Sequence, residues 1–367
     1  MGLLVAAAVF FARGRWLMAL LLAAASLVPV ALRLPRGRRA YFAIAAMALS
    51  VAATLLFALS IDLYLHHRFA RTGGYNVWGY RGPAVGAKQP GERRLVMLGG
   101  SVAFGYGVAA DETIPYFLQQ RLNTPPAAAP VTVVNLAWNS EGAYSFLFTL
   151  RDYDSLRYDG AILYSGYNDM FFNNQVFRHE SAVFRLTGYL PILPIIPLRG
   201  WLHLDDLSET SRDGRVVFHP GVGDRYATEA SETALRVQHA LDRQLQRLSP
   251  VEPAPQRDST NWRPQWNYYC WSMQRSIDFA LSRGKHVFVV SEPFKNVVQT
   301  GQQQVLAEML ARLYRGNPRV HYINMGTSID LTDRALCFDG LHLTPEGNAR
   351  VAAQLASALR PVLESAE

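Results

Sequence analysis

The chain has 367 residues, two cysteines and a formal net charge of +7, which allows one large domain plus attachments and excludes a small disulfide-stapled scaffold. Cys270 and Cys337 cannot form a thiolate zinc centre alone, and no histidine or carboxylate spacing completes one; they are either a disulfide or two buried thiols. Much of the basic excess flanks N-terminal apolar segments, which favours an anionic membrane surface or acidic glycans over nucleic acid.

Two apolar runs come first, "WLMALLLAAASLVPVAL" and "AYFAIAAMALSVAATLLFALSI". Each approaches the roughly 20 residues that cross a bilayer as a helix, and neither alternates with polar positions as a soluble core helix would. The expected spans are 16–32 and 41–62 within a membrane region 1–66. Their link, "RLPRGRR", holds Arg33, Arg36, Arg38 and Arg39, whereas Arg13, Arg15, Arg68 and Arg71 are sparser on the outer flanks. The positive-inside rule makes the link cytoplasmic and places everything after about residue 65 outside. A cleaved signal peptide is the competing reading; a second span and the lack of a basic residue before "GLLVAAAVFF" argue against it. The run from Gly2 to Phe11 is too short to span alone.

Residues 67–92, rich in Gly and Pro, read as an irregular linker packed on the domain 93–367. There, apolar strand candidates (Leu95 to Leu98, Val131 to Leu136, Ala161 to Tyr164, His286 to Val290, Val320 to Asn324) are mostly separated by amphipathic stretches. Those stretches run from Pro115 to Leu122, Ser145 to Leu156, Trp266 to Ser282 and Val305 to Tyr314, with a last helix from Pro345 to Leu363. Buried strands alternating with helices imply a parallel α/β sheet covered on both faces, with its site at the carboxyl ends of the strands. An insertion at about 170–264 breaks the rhythm. In it "GYLPILPIIPLRGW" is an extended apolar connector, or a flap over the site or the membrane, and Ser231 to Leu248 reads as a helix.

The chemistry-bearing residues lie beside these strands. "MLGGSVAFG" puts Ser101 on a glycine turn after the first strand, without the lysine of a phosphate loop, the spacing of a dinucleotide fingerprint, or the Gly-x-Ser-x-Gly elbow. "CFDGLHLTPEGN" places Asp339 and His342 before the last helix, with Thr344 to cap it and Pro345 at its first position. A serine becomes a nucleophile when an imidazole removes its proton and a carboxylate steadies that imidazole. After the third strand, "YSGYNDM" offers Asn168, whose amide can donate to an oxyanion. His66, His67, His286 and His321 read as structural or surface residues, and His179, Glu180 and Asp169 as neighbours of the pocket.

In these blocks the chain from about Tyr75 to Leu363 resembles the SGNH/GDSL hydrolases: "GGSVAFGYGV" for the first, "SGYNDM" for the third, "DGLH" for the last. "GYRGP" and "DETIPYFLQQRL" resemble the bacterial, membrane-attached branch. The resemblance implies a flavodoxin-like three-layer α/β/α sandwich with five parallel strands and a Ser101, His342, Asp339 triad. It implies an oxyanion hole from the N–H of Ser101, the Asn168 amide and a backbone N–H in "NLAWNSEGAYS", at Gly142 or, counting from Asn135, at Ser140. Gly99-Gly100-Ser101 replaces the family's Gly-Asp-Ser. The expected activity needs no cofactor or metal. It is that of an inner-membrane serine esterase whose extracytoplasmic domain acts on O-acetyl esters of an envelope or exported polysaccharide, with a membrane acyltransferase as a partner. The alternatives are a lipid or small acyl-ester lipase or thioesterase, and a non-catalytic polysaccharide-binding component of an export complex.

Overall fold

The computed structural model describes residues 36–70, 75–124, 129–170, 174–192, 209–210, 216–217 and 266–365. The chain forms two units, Met1–Phe69 with Leu190–Asp205, and Ala70–Tyr189 with Asp206–Glu367. The expected span 16–32, the run from Gly2 to Phe11, Ser231 to Leu248, and Pro194 and Pro197 lie outside the described residues.

The first unit contains helix α1 (Arg36–Phe69). It starts before and ends after the expected 41–62, because no glycine or proline interrupts the chain between Arg38 and Phe69. Tyr41–Arg68 is long and apolar enough to cross a membrane, with a mean hydropathy of 2.4 in its most apolar window and 6% of that window buried. Tyr41, Leu49 and Leu56 are exposed, as an aqueous surface would not favour. Thr54 and Ser60 turn their hydroxyls back onto the carbonyls of Ser50 and Leu56, which removes the two donors from apolar surroundings. One turn apart near the end of α1, Asp62 and His66 approach to 3.4 Å. Asp62 accepts from the N–H of Ile192 (2.9 Å), and His66 Nε2 donates to the Leu190 carbonyl (2.9 Å). His66 is thus a buried anchor for the start of the insertion rather than a surface histidine.

The second unit runs through β1 (Arg93–Leu98), α2 (Ser101–Phe104), α3 (Ile114–Leu122), β2 (Val131–Asn135), α4 (Ala143–Asp152) and β3 (Gly160–Ser165). Next come α5 (Phe177–Glu180), α6 (Ala182–Thr187) and a short antiparallel pair, β4 (Glu209–Thr210) and β5 (Val216–Val217). It ends with α7 (Asn267–Ser282), β6 (His286–Ser291), α8 (Val297–Leu313), β7 (Val320–Ile323) and α9 (Pro345–Ser365).

Five strands form one parallel sheet in the order β2-β1-β3-β6-β7, in register from Leu95 with Val133 and Gly160 to Val287 with Val320. β3 is buried along its whole length and β7, at the edge, only half-buried, as expected for a sheet covered on both faces. α3 packs on α9 and α4 on α7, completing the three-layer, flavodoxin-like sandwich. From β1 the chain moves outward to β2 and then returns to β3 on the other side. That reversal opens a crevice at the carboxyl ends of β1 and β3. Ahead of β1, Tyr80 and Arg81 are buried, and Arg81 bridges to Asn135 at the end of β2.

Candidate active site

Ser101 begins α2, three residues beyond the end of β1. Gly100 is the residue before the helix, and a Cβ there would stand 2.0 Å from the Asn168 amide nitrogen. The chain therefore needs glycine at position 100 to bring the loop after β3 against the serine turn. A four-residue helix satisfies almost none of its own terminal carbonyls. Here Arg81 donates to the carbonyls of Phe104, Gly105 and Val108, and Asn135 to those of Ala103 and Phe104. Burial lowers the Arg81 pKa to about 10, and the guanidinium remains charged at neutral pH.

Asp339 and His342 share a tight turn closed by the Phe338 N–H on the His342 carbonyl (2.8 Å) and by a bridge between Cys337 and Leu343. Gly340, at φ +85°, supplies the left-handed residue this turn requires. Thr344 accepts from the N–H of Gly347 (3.2 Å), so α9 starts behind the turn and holds it. His342 Nδ1 lies 2.6 Å from Asp339 Oδ2, and Nε2 lies 2.9 Å from Ser101 Oγ. The other Asp339 oxygen accepts from the N–H groups of Leu341 (3.0 Å) and His342 (2.8 Å). Burial works to raise the Asp339 pKa, but these hydrogen bonds and the imidazole outweigh it and hold the carboxyl below its ordinary value. An ionised Asp339 fixes the tautomer with Nδ1 protonated and leaves Nε2 to accept from the serine. The Tyr106 ring, 4.6 Å from that of His342, flanks the imidazole.

Asn168 follows β3 and donates one amide N–H to the Glu141 carbonyl (3.0 Å). A primary amide carries two donors, so this bond orients the group and leaves the second N–H for another acceptor. Next to it, Asp169 accepts from the Ala143 N–H (2.6 Å) at the start of α4. A Cβ on Gly142 would lie 2.5 Å from the same carboxyl. Gly142 is thus the small residue that lets the start of α4 close on the loop after β3, while Ser140 sits two residues earlier in a left-handed turn at φ +64°. Glu292, just beyond β6, accepts from the Tyr167 N–H and holds that loop from the other side. Burial raises Asp169 to about 7 and Glu292 to about 8. Beneath the turn, Arg178 donates to the carbonyls of Gly79 (3.1 Å) and Leu136 and lies 3.9 Å from the Glu141 carboxylate.

Ser101, Asp339, His342 and Asn168 thus converge on the β1/β3 crevice from three distant stretches of chain. His179 pairs with Asp152 at 3.0 Å, and His286 faces His321 at the sheet edge. Cys270 and Cys337 are buried free thiols. The supporting side chains Arg81, Arg178 and Glu292 carry no spacing that marks them. The "GYRGP" run was the one sequence signal pointing toward Arg81.

No family model and no curated protein matches the chain. Solved structures similar to it include a psychrotrophic esterase from Pseudoalteromonas, at 9% identity over 74% of this chain and 99% of that one, with a TM-score of 0.40. A lipase/acylhydrolase from Enterococcus faecalis is 14% identical over 73% and 96%, with a TM-score of 0.39. A variant of an acetyl xylan esterase from Geobacillus stearothermophilus is 11% identical over 74% and 94%, with a TM-score of 0.38.

Proposed function

We propose that the protein is a membrane-attached serine ester hydrolase of the SGNH/GDSL type, acting on O-acetyl esters of an envelope or exported polysaccharide. The observation that carries the catalytic reading is the unbroken chain of contacts from Asp339 through His342 to Ser101 Oγ. In the proposed cycle His342 Nε2 takes the Ser101 proton as Oγ attacks the ester carbonyl. The resulting oxyanion is held by the N–H of Ser101, the N–H of Gly142 or alternatively Ser140, and the Asn168 amide. Collapse breaks the ester C–O bond, and His342 returns the proton to the departing alcohol. A water, deprotonated by the same imidazole, then attacks the acyl-serine; the acyl–Oγ bond breaks, the imidazolium returns its proton to Ser101 Oγ, and the carboxylic acid leaves.

The membrane reading is supported by the exposed apolar helix Tyr41–Arg68. With the arginine-rich link inside, the catalytic unit lies on the extracytoplasmic side, where exported glycans are met.

The test is hydrolysis of a chromogenic acetyl ester by the detergent-solubilised full chain beside Ser101→Ala and His342→Ala. Turnover by the parent and loss on the order of 10³-fold or more in each variant is expected, because the members of a triad act as a unit. A folded parent that neither turns over nor is labelled at Ser101 by a fluorophosphonate overturns the reading. Release of acetate from an acetylated polysaccharide, compared with long-chain acyl esters, then tests the substrate class.

A further inference from the structure

A cavity of about 810 Å³ opens in the second unit at the amino ends of the strands, away from Ser101. Arg94, near the start of β1, lines it, whereas Ser101 lies past the other end of that six-residue strand, a run of roughly 20 Å at the rise of a β-strand. Five cationic side chains face it, Lys88, Arg94, Arg151, Arg157 and Arg185, against one carboxylate, Asp152. Two of the cations are neutralised in place: Lys88 by Asp159 at 2.5 Å, and Arg94 by Glu92 at 2.9 Å. Asp152 is engaged by His179 at 3.0 Å.

Arg151, Arg157 and Arg185 have no carboxylate partner among the described residues; Arg151 lies over the Phe279 ring instead. Three arginines sharing one recess repel each other, and an oxyanion between them relieves that repulsion with bidentate hydrogen bonds. Arg157 also holds a left-handed backbone, φ +51°, where glycine or asparagine is the easier residue. On the rim, Trp78 is 46% exposed; its carbonyl accepts from the Tyr153 hydroxyl at 2.6 Å, and Gly188 backs its ring. An indole fixed by its backbone with one face open is a platform for a sugar ring.

We propose that this cavity binds an acidic sugar, a uronate or a sugar phosphate, with the anion on Arg151, Arg157 and Arg185 and the ring against Trp78. The site is separate from the esterase reading and does not depend on it. The Trp78 platform beside the arginines favours a sugar ring over a lipid headgroup, which carries no ring of that kind on its phosphate's near side.

The test is calorimetric titration of the full chain in zwitterionic detergent with tetragalacturonate, with cellotetraose as the neutral control and dihexanoyl phosphatidylglycerol as the lipid control. Tetragalacturonate is expected to bind, more weakly as salt rises to about 0.3 M, where screening is strong. Binding should fall at least about ten-fold in an Arg151→Gln/Arg185→Gln double variant, because charge-assisted bonds carry it. Both arginines are exposed, and an unchanged Tm confirms the fold of the variant; Trp78→Ala, which spares the charges, should weaken binding independently. Equal binding of the neutral sugar, or no binding of the acidic one, overturns the proposal. Arginine-dependent binding of the phospholipid alone overturns it in favour of a lipid headgroup site.

Discussion

At the scale of single residues, the contact between Gly100 and Asn168 decides most about the site. Asn168 acts only if its amide stands beside Ser101, and it stands there because position 100 has no side chain: the Cβ of an alanine would fall 2.0 Å from its nitrogen. The Glu141 carbonyl, which accepts from that amide, lies 3.1 Å from the same Cβ position, so an alanine presses on both partners of this hydrogen bond. Gly100→Ala should therefore displace Asn168 and reproduce the loss of an oxyanion donor, about 10²-fold in kcat with KM little changed. Steady-state kinetics beside Asn168→Ala checks this. Full activity in Gly100→Ala would remove Asn168 from the oxyanion hole.

Among the elements, α2 depends most on its neighbours. Four residues cannot sustain a helix on their own, and this one is held from its carboxyl end by Arg81 and Asn135. Arg81→Ala would leave three buried carbonyls without that donor, destabilising the fold by on the order of 3 kcal/mol. A drop in Tm, with weaker fluorophosphonate labelling of Ser101 below the transition, is the expected result; an unchanged Tm would show that the clamp carries no stability. The strands of the sheet were legible to within two residues, because short apolar runs bounded by turn residues suit buried strands at that length. Helix α8 was legible only in its second half. Its first turns, "VVQTGQQQ", precede the expected stretch from Val305 to Tyr314, and in them Gln299, Gln302 and Gln303 are buried. Gln303 donates to the Ser165 carbonyl and the Tyr269 hydroxyl, and Gln299 accepts from the Lys295 N–H, so these side chains are buried on polar partners that an apolar pattern does not show. Asn296, which caps Gln299, was the local signal for the true start. The three residues that meet, Ser101, His342 and Asp339, were legible for the opposite reason: each stands at a fixed place, just after the first strand or just before the last helix. The supporting arginines and buried acids are defined by burial, which spacing does not encode.

On the scale of the whole molecule, the loop beside the candidate site is built over two buried carboxyl groups, and this gives the protein a pH dependence of definite sign. Burial raises Asp169 to about 7 and Glu292 to about 8, and the proximity of Asp169 adds to the rise at Glu292. In the unfolded chain both titrate near their ordinary values of about 4. Between pH of about 4 and 8 the folded state therefore holds more protons than the unfolded state, and stability falls as pH rises through that window. This is opposite to the contribution of Asp339, whose lowered pKa gives stability that is lost as pH falls into the acid range. Thermal unfolding from pH of about 5 to 9 should accordingly show Tm falling across neutrality, most steeply below about pH 7, where both acids are protonated in the folded state and ionised in the unfolded one. Glu292→Gln keeps an oxygen acceptor for the Tyr167 N–H and removes the upper titration, so its Tm should change less above about pH 7 than that of the parent. A parent Tm that is flat or rises between pH of about 6 and 8 would mean that these acids are ionised in the folded protein, and that the loop carrying Asn168 rests on a pair of charges rather than on neutral carboxyls.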